Sequence, residues 1–294
     1  MKLQDASKFY VGGSAVSAVY AGVNKVWPSG PLLWTPAQIP GDLAMWLQAD
    51  TLTGADLSRI DTWADSGPDG RTFTRVQTTG PQINVARLNG KKTLLFDTRS
   101  MACAALQFTD FAVYVVWFKF SGGATQRLID HNYTTGFWIG RHNSISGRLA
   151  CGIKQTVAPY ADDIAADYTN WHISTVSRVG STKRIRNNGG VAEGTFAAVN
   201  TITSSAIVTV GGITGAISPD LNIAEVVILD QNVETNMEKI EGYLAHKWGL
   251  QANLKVGHPY KDTAPSEAAV FDGMLSDADR AIVTTHLMTK WGIT

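Results

Sequence analysis

The sequence predicts an all-β sandwich of the jelly-roll type, closed by one helix near its C-terminal end. Three observations carry that expectation. Short apolar segments recur at roughly 8–12-residue spacing with turn signals between them, the pattern of a sandwich. One of them, Phe111 to Phe120, is apolar on both faces with Lys119 its lone charge, which marks a central strand lying between two layers. Finally, Met237, Ile240, Leu244 and Trp248 share one face of a helical pattern, with a Thr235-x-x-Glu238 capping box at its start and Gly249 at its end.

Composition sets the bounds. A chain of 294 residues with 44% hydrophobic and 17% charged residues is rich enough in apolar groups to bury a core. The formal net charge is zero, so no basic field exists to hold a phosphate backbone, and nucleic acid is not an expected partner. No run reaches the ~18 apolar residues of a membrane helix, and the start, MKLQDASKFYVGG, lacks a charged-then-apolar secretory pattern. A soluble chain with no membrane insertion is expected. Cys103 and Cys151 are the only cysteines, and they read either as a pair or as two small buried hydrophobes.

Taken in order, Phe9 to Trp27 holds a small repeat. Tyr10-Val11-Gly12 with Val16 recurs ten residues on as Tyr20-Ala21-Gly22 with Val26, which reads as a miniature meander too small to bury a core alone. Pro28-Ser29-Gly30-Pro31 breaks the chain. Three parts are expected: an N-terminal β module over 1–30, a main domain over 31–260 and a strand–helix tail over 261–294. Strands are expected at Ala44 to Asp50, at Ile60 before an Asp-Gly-Pro turn, and at Lys92 to Thr98. Gln126 to Asn143 reads as two strands joined at Tyr133 to Gly136, and Gly147 to Lys154 as another. Trp171 to Gly190 makes successive hairpins, and Ala206 to Ile213 and Leu221 to Leu229 complete the set. On the helix, Lys239, Glu241 and His246 are expected to face outward. The end of the chain, Ala269 to Ile293, echoes it with its own capping box (Ser276, Asp279) and its own stripe (Val283, Leu287, Trp291).

Two stretches resemble known families. The doubled Tyr-x-Gly-x-x-x-Val unit, ending in Val26-Trp27, resembles the N-terminal segments of tailed-phage tail and minor structural proteins. Trp46-Leu47-Gln48-Ala49-Asp50, Trp63-Ala64-Asp65-Ser66-Gly67 and Leu94-Leu95-Phe96-Asp97, with the closing Glu241-Gly-Tyr-Leu-Ala-His-Lys-Trp-Gly-Leu250 and Gly257-His-Pro-Tyr260, resemble concanavalin-A-like, laminin-G-like domains of phage and bacterial surface proteins. This second resemblance spans about Leu33 to Tyr260. It implies a concanavalin-A-like jelly roll, a place on a virion, and Trp63 and Trp248 as core.

Chemistry is sparse. The six glutamates show no alternating pair along a strand of the kind a glycosidase uses, and no nucleophile elbow, His-Glu-x-x-His or phosphate loop occurs, so catalysis is not expected. No cofactor is implied. Asp65 with Asp69, and Asp162 and Asp163 with Asp167, make loop clusters that suit either ordinary turn chemistry or calcium. Sugars are held by aromatic rings and planar polar groups. Asn132, Tyr133, Trp138, Arg141 and His142 offer that mixture on one hairpin, with Tyr160 and Asp162 as a second candidate loop. Strand alternation separates Trp138 from Arg141, and the alternative reading makes Trp138 core and leaves Arg141 and His142 in solvent.

The expected function is a non-enzymatic tail-fibre, spike or decoration subunit of a bacteriophage-like virion. It is made in the host cytoplasm and binds host-surface glycan through the lectin-like domain. Its N-terminal module joins other virion proteins, and a homo-oligomer is expected by analogy with fibre subunits, although no heptad period marks one. The alternatives are a purely architectural subunit and a glycan-cleaving enzyme of the same fold.

Overall fold

The computed structural model describes residues 9–11, 14–16, 19–21, 24–27, 33–119, 126–132, 136–141, 148–153, 162–165, 169–195, 202, 206–212 and 221–265. The chain divides into two compact units, Met1–Trp34 with Pro265–Thr294, and Thr35–Ala264. In the first unit the tyrosine-glycine repeat forms two antiparallel pairs. These are β1 (Phe9–Val11) with β2 (Ser14–Val16), and β3 (Val19–Ala21) with β4 (Asn24–Trp27). The Trp34 amide donates to the Pro265 carbonyl at 2.9 Å. The terminal echo after Ala269 lies outside the described residues.

The second unit holds the sandwich. Its strands are β5 (Leu43–Gln48), β6 (Thr62–Ala64), β7 (Thr72–Arg75), β8 (Gln82–Leu88), β9 (Lys91–Phe96), β10 (Met101–Leu106), β11 (Phe111–Phe118) and β12 (Gln126–His131). Then follow β13 (Phe137–Arg141), β14 (Arg148–Ile153), β15 (Asp162–Ala165), β16 (Trp171–Val179), β17 (Thr182–Asn187), β18 (Gly190–Thr195), β19 (Ala206–Val210) and β20 (Leu221–Leu229). One antiparallel sheet runs β15-β14-β13-β12-β19-β10-β7-β6, the other β18-β17-β16-β11-β20-β9-β8, with β5 also paired to β20. Strands distant in sequence are neighbours in both, as a jelly roll requires.

The expectation of a doubly buried central strand holds. Phe111 to Trp117 are all buried, and β11 lies between β16 and β20. Its Val113, Val115 and Trp117 join the core between the sheets, with Met45, Leu47, Val226 and Ile228 from the same sheet and Trp63, Phe73, Ile129, Ile139 and Val208 from the other. Its alternate residues, Ala112, Tyr114 and Val116, lie under the helix α1 (Val233–Trp248). Both thiols are buried, Cys103 on β10 and Cys151 on β14. Four strand steps at ~4.8 Å put them about 19 Å apart, too far for a disulfide.

Helix α1 corrects two expectations. It begins before the Thr235 capping box, because its N-cap is Asn232, whose amide donates to Asp42 Oδ1 at 2.7 Å, while Asn236 reaches Asp42 Oδ2 at 3.1 Å. A carboxylate from the loop ahead of β5 supplies the anchor that local sequence was expected to supply. The Glu241 side chain does not face outward. It is fully buried, held by both Arg186 Nε and Nη2 at 2.9 Å, by Thr175 Oγ1 at 2.9 Å and by His258 at 3.2 Å. His246 is half-buried against the Tyr260 carbonyl. The C-terminus follows expectation, with Gly249 left-handed at φ 71°.

A second buried carboxylate ties the helix to the sheet. Glu225 on β20 accepts Tyr243 O–H at 2.9 Å, Trp46 Nε1 at 2.5 Å and Trp248 Nε1 at 2.7 Å, and pairs with Lys247 Nζ at 2.8 Å. Trp248 is therefore core, as expected, but core with a polar tip satisfied. The sequence that carries the family resemblance builds this joint. Among the described residues no helix is long and apolar enough to cross a membrane.

Candidate functional site

β12 and β13 pair as predicted, with Asp130 opposite Trp138 and Ile129 opposite Ile139. Trp138 is 1% exposed and lies on the sheet face turned away from the inter-sheet core. Its ring bears the Arg127 guanidinium 3.6 Å from the centroid and presses on Gly152 of β14, where a Cβ would sit 2.2 Å from Trp138 Nε1. Arg127 also donates to the Arg141 carbonyl at 3.3 Å. Arg141 alternates onto the other face and is buried rather than solvated. Asn132 is exposed, with left-handed backbone at φ 60°. Hence Trp138 and Arg141 are not brought together on one surface. Tyr133, His142 and Tyr160 lie outside the described residues. Asp162 and Asp163 belong to edge strand β15, opposite Cys151 and Ala150, and not to a loop, because β14 recruits that segment into the sheet.

The same face contains a stressed carboxylate. Asp130 is buried, and its Oδ2 lies 3.8 Å from Arg127 Nε, too far for a hydrogen bond. Burial pushes the carboxyl up to about 6, with Arg127 and the Asn132 amide pulling only partly back. His131, on the opposite face, is stacked on Phe137 and bonded to the Leu106 carbonyl at 2.7 Å; burial lowers its pKa.

A cleft of about 290 Å³ opens at the end of the sandwich where β5 begins and β20 finishes. Four loops meet there. Asp230 follows β20, and its amide donates to the Asp42 carbonyl at 3.1 Å, which fixes the β20–α1 turn beside the entry to β5. Asp69 and Arg71 come from the β6–β7 turn, where Asp65 Oδ1 accepts the Trp46 and Gly67 amides at 2.7 Å each. Arg71 donates to the Ala44 carbonyl at 2.6 Å and pairs with Asp69, so its guanidinium is fixed in orientation. Gln107 enters from the β10–β11 connection. Pro40, Leu43 and Phe108 give the cleft an apolar wall.

Asp69, Arg71 and Asp230 are its charged lining groups, two carboxylates against one guanidinium. Burial raises the Asp230 carboxyl above its ordinary value, and Asp42 and Asp69 add like-charge repulsion. A more open hollow of about 500 Å³, lined by Asp110, Glu234 and the start of α1, adjoins it through Asp230. Among the described residues no three His, Cys, Asp or Glu side chains are grouped to hold a metal ion. The aspartates of the β6–β7 turn are engaged in turn chemistry, Asp65 with amides and Asp69 with Arg71.

Sequence reasoning passed over Asp69, Arg71, Gln107 and Asp230 as a set. The signals were present singly, as an Asp-Gly turn and an aspartate ending an apolar strand. Only the sheet order brings these loops to one end.

Fold and cleft together define the class: an antiparallel two-sheet jelly-roll sandwich with a polar cleft at one end. No family model and no curated protein sequence matches the chain. Solved structures share the fold. The binding domain of botulinum neurotoxin DC in complex with SialylT is similar at a TM-score of 0.51 and 12% identity, over 72% of this chain and 52% of that one. The receptor binding domain of botulinum neurotoxin D is similar at 0.51 and 13% identity, over 71% and 54%. A single-site mutant of HCR/D is similar at 0.53 and 12% identity, over 71% and 53%. The matches span about half the length of those chains, and at these identities they establish the fold.

Proposed function

We propose that the protein is a non-enzymatic glycan-binding subunit, and that the cleft around Asp230 holds the sugar. The observation that carries this reading is the convergence of a fixed guanidinium, two carboxylates and an amide on an apolar wall, the mixture that hydroxyl-bearing rings require. A domain of the same fold was solved in complex with SialylT, which is in keeping with a binding role. The finer part of the proposal is a place on the surface of a tailed-phage-like particle as a fibre, spike or decoration subunit. It rests on the resemblance of the tyrosine-glycine repeat and of the Lys-Trp-Gly-Leu segment. The repeat would contact other virion proteins or sister chains.

A glycan array tests the binding role. The wild-type chain binds one or more host-envelope glycans, and Asp230→Asn and Gln107→Ala each weaken binding about tenfold, the scale of one hydrogen bond weakened or lost. Because burial already disfavours the ionised Asp230, Asp230→Asn keeps its thermal stability. A blank array from folded protein favours the architectural alternative, and reducing-sugar release from envelope material favours the enzyme. Immunogold labelling of particles checks the virion placement.

A further inference from the structure

At the opposite end of β11 from the cleft, three side chains form a ladder. Phe118 and Trp171 sit directly opposite each other on β11 and β16, with rings stacked at 5.4 Å and 28°. The Arg87 guanidinium lies over the Phe118 ring at 5.2 Å. Both rings are half-buried and Arg87 is exposed, so the ladder is open to solvent. It stands on the outer face of the sheet, beyond the end of α1, and three elements frame it. The β8–β9 hairpin is one. The short 3₁₀ turn at Gln251–Asn253 is another, with Asn253 Nδ2 donating to the Trp171 carbonyl at 3.1 Å. Amides on β8 and β20 make the third: Asn222 stands opposite Phe118, and Asn84 Nδ2 donates to Asn222 Oδ1 at 2.8 Å.

Backbone strain holds this arrangement. The register between β8 and β9 shifts after Asn84, and Ala86 takes a left-handed φ of 55°, which delivers Arg87 onto the ring. Lys119, just after Phe118, is left-handed as well at φ 64°. Non-glycine residues in that region cost about 1 kcal/mol or more each, and such strain concentrates where a ligand is held. No carboxylate among the described residues pairs with Arg87. A planar cation is thus presented unneutralised beside aromatic rings and two mutually oriented amides.

We infer that this ladder is a second glycan subsite, one that selects a sugar bearing a carboxylate. Arg87 takes the carboxylate in a two-pronged hydrogen bond, the Trp171 ring takes the apolar sugar face, and half-buried Asn84, oriented by buried Asn222, takes a hydroxyl. The inference rests on the glycan-binding reading but not on the cleft. Seven residue steps along β11 separate Phe111 from Phe118, about 24 Å, so variants at one end leave the other intact.

The test uses the whole chain against an array of sialylated, uronate-bearing and neutral glycans. Carboxylate-bearing glycans are expected among the ligands. Arg87→Gln lowers their binding at least tenfold, Trp171→Ala does the same, and methyl esterification of a bound uronate oligosaccharide mimics Arg87→Gln. Binding of neutral glycans at the cleft is unchanged by Arg87→Gln. The inference falls if every ligand is neutral, or if acidic ligands bind Arg87→Gln and wild type alike. If only Asp230→Asn and Gln107→Ala lose binding, the glycan reading stands without this subsite. If folded wild type binds nothing, both fall together. Circular dichroism of Trp171→Ala separates misfolding from lost contact, and Arg87, being exposed, gives the arm that does not depend on packing.

Discussion

At Asp130 the fold places a carboxylate where water cannot reach it and its nearest cation stands too far for a hydrogen bond. The consequence is measurable. A carboxyl raised from 3.8 to about 6 binds more protons folded than unfolded between those values, so the stability falls as pH rises through that window. Above pH 6 the cost is roughly 3 kcal/mol. Asp130→Asn keeps the acceptor for the Asn132 amide, and Arg127 keeps the Trp138 face. The variant is expected to melt higher than wild type at pH 7.5, with the gap closing toward pH 4. Equal melting temperatures across that range would refute the assignment. His131 acts with opposite sign: its lowered pKa means stability present above the ordinary histidine value and lost as pH falls below it. Glu225 makes the sharpest residue-scale case. Glu225→Ala leaves two indole N–H groups and a tyrosine hydroxyl without their acceptor and strips Lys247 of one partner, at an expected cost of about 3–5 kcal/mol in denaturant unfolding.

At the scale of elements, α1 shows where a local signal is overruled. Thr235 and Glu238 have the right spacing for a capping box, yet the helix starts at Val233 because Asp42 engages Asn232 and Asn236 from outside. Asp42→Ala therefore frays the first turn, with an expected loss of about 1–2 kcal/mol and faster amide hydrogen exchange at Glu234 to Asn236. Thr235→Ala costs less than Asp42→Ala if this placement is right. The strands follow the same logic. β11 was legible because eight consecutive apolar residues leave no other place for it. The segments at β7, β8, β10 and β15 were not, since Thr-, Asn- and Ala-rich stretches become strands only when a neighbour pairs with them.

For the whole molecule, sheet order decides what meets what. It separates Cys103 from Cys151 by four strand positions, so both thiols stay reduced and buried. Maleimide labelling of native protein is expected to be slow at both, complete only after denaturation, with identical mobility on reducing and non-reducing gels. Burial raises the Cys103 thiol to about 11, which slows it further. Sheet order also gathers Asp69, Arg71, Gln107 and Asp230 from three loops into one cleft, and sets the Arg87–Phe118–Trp171 ladder at the other end of β11.

The sequence alone determined the fold class, the central strand, the hairpin of β12 and β13, and the helix with its Trp248 stripe and Gly249 stop. Each depends on local periodicity, which survives in any context. It also marked Trp63 and Trp248 as core. The sequence left open which side chains face a ligand, because a candidate's exposure depends on its cross-strand neighbours. Trp138 had the chemistry of a sugar platform, but Gly152 lets its ring lie flat on the sheet and Arg127 covers it. Glu241 looked outward by helical position, but Arg186 and His258 reach it from elements the helix period cannot register. Tertiary structure decided these matters because burial of a polar group is settled by partners far away in the chain.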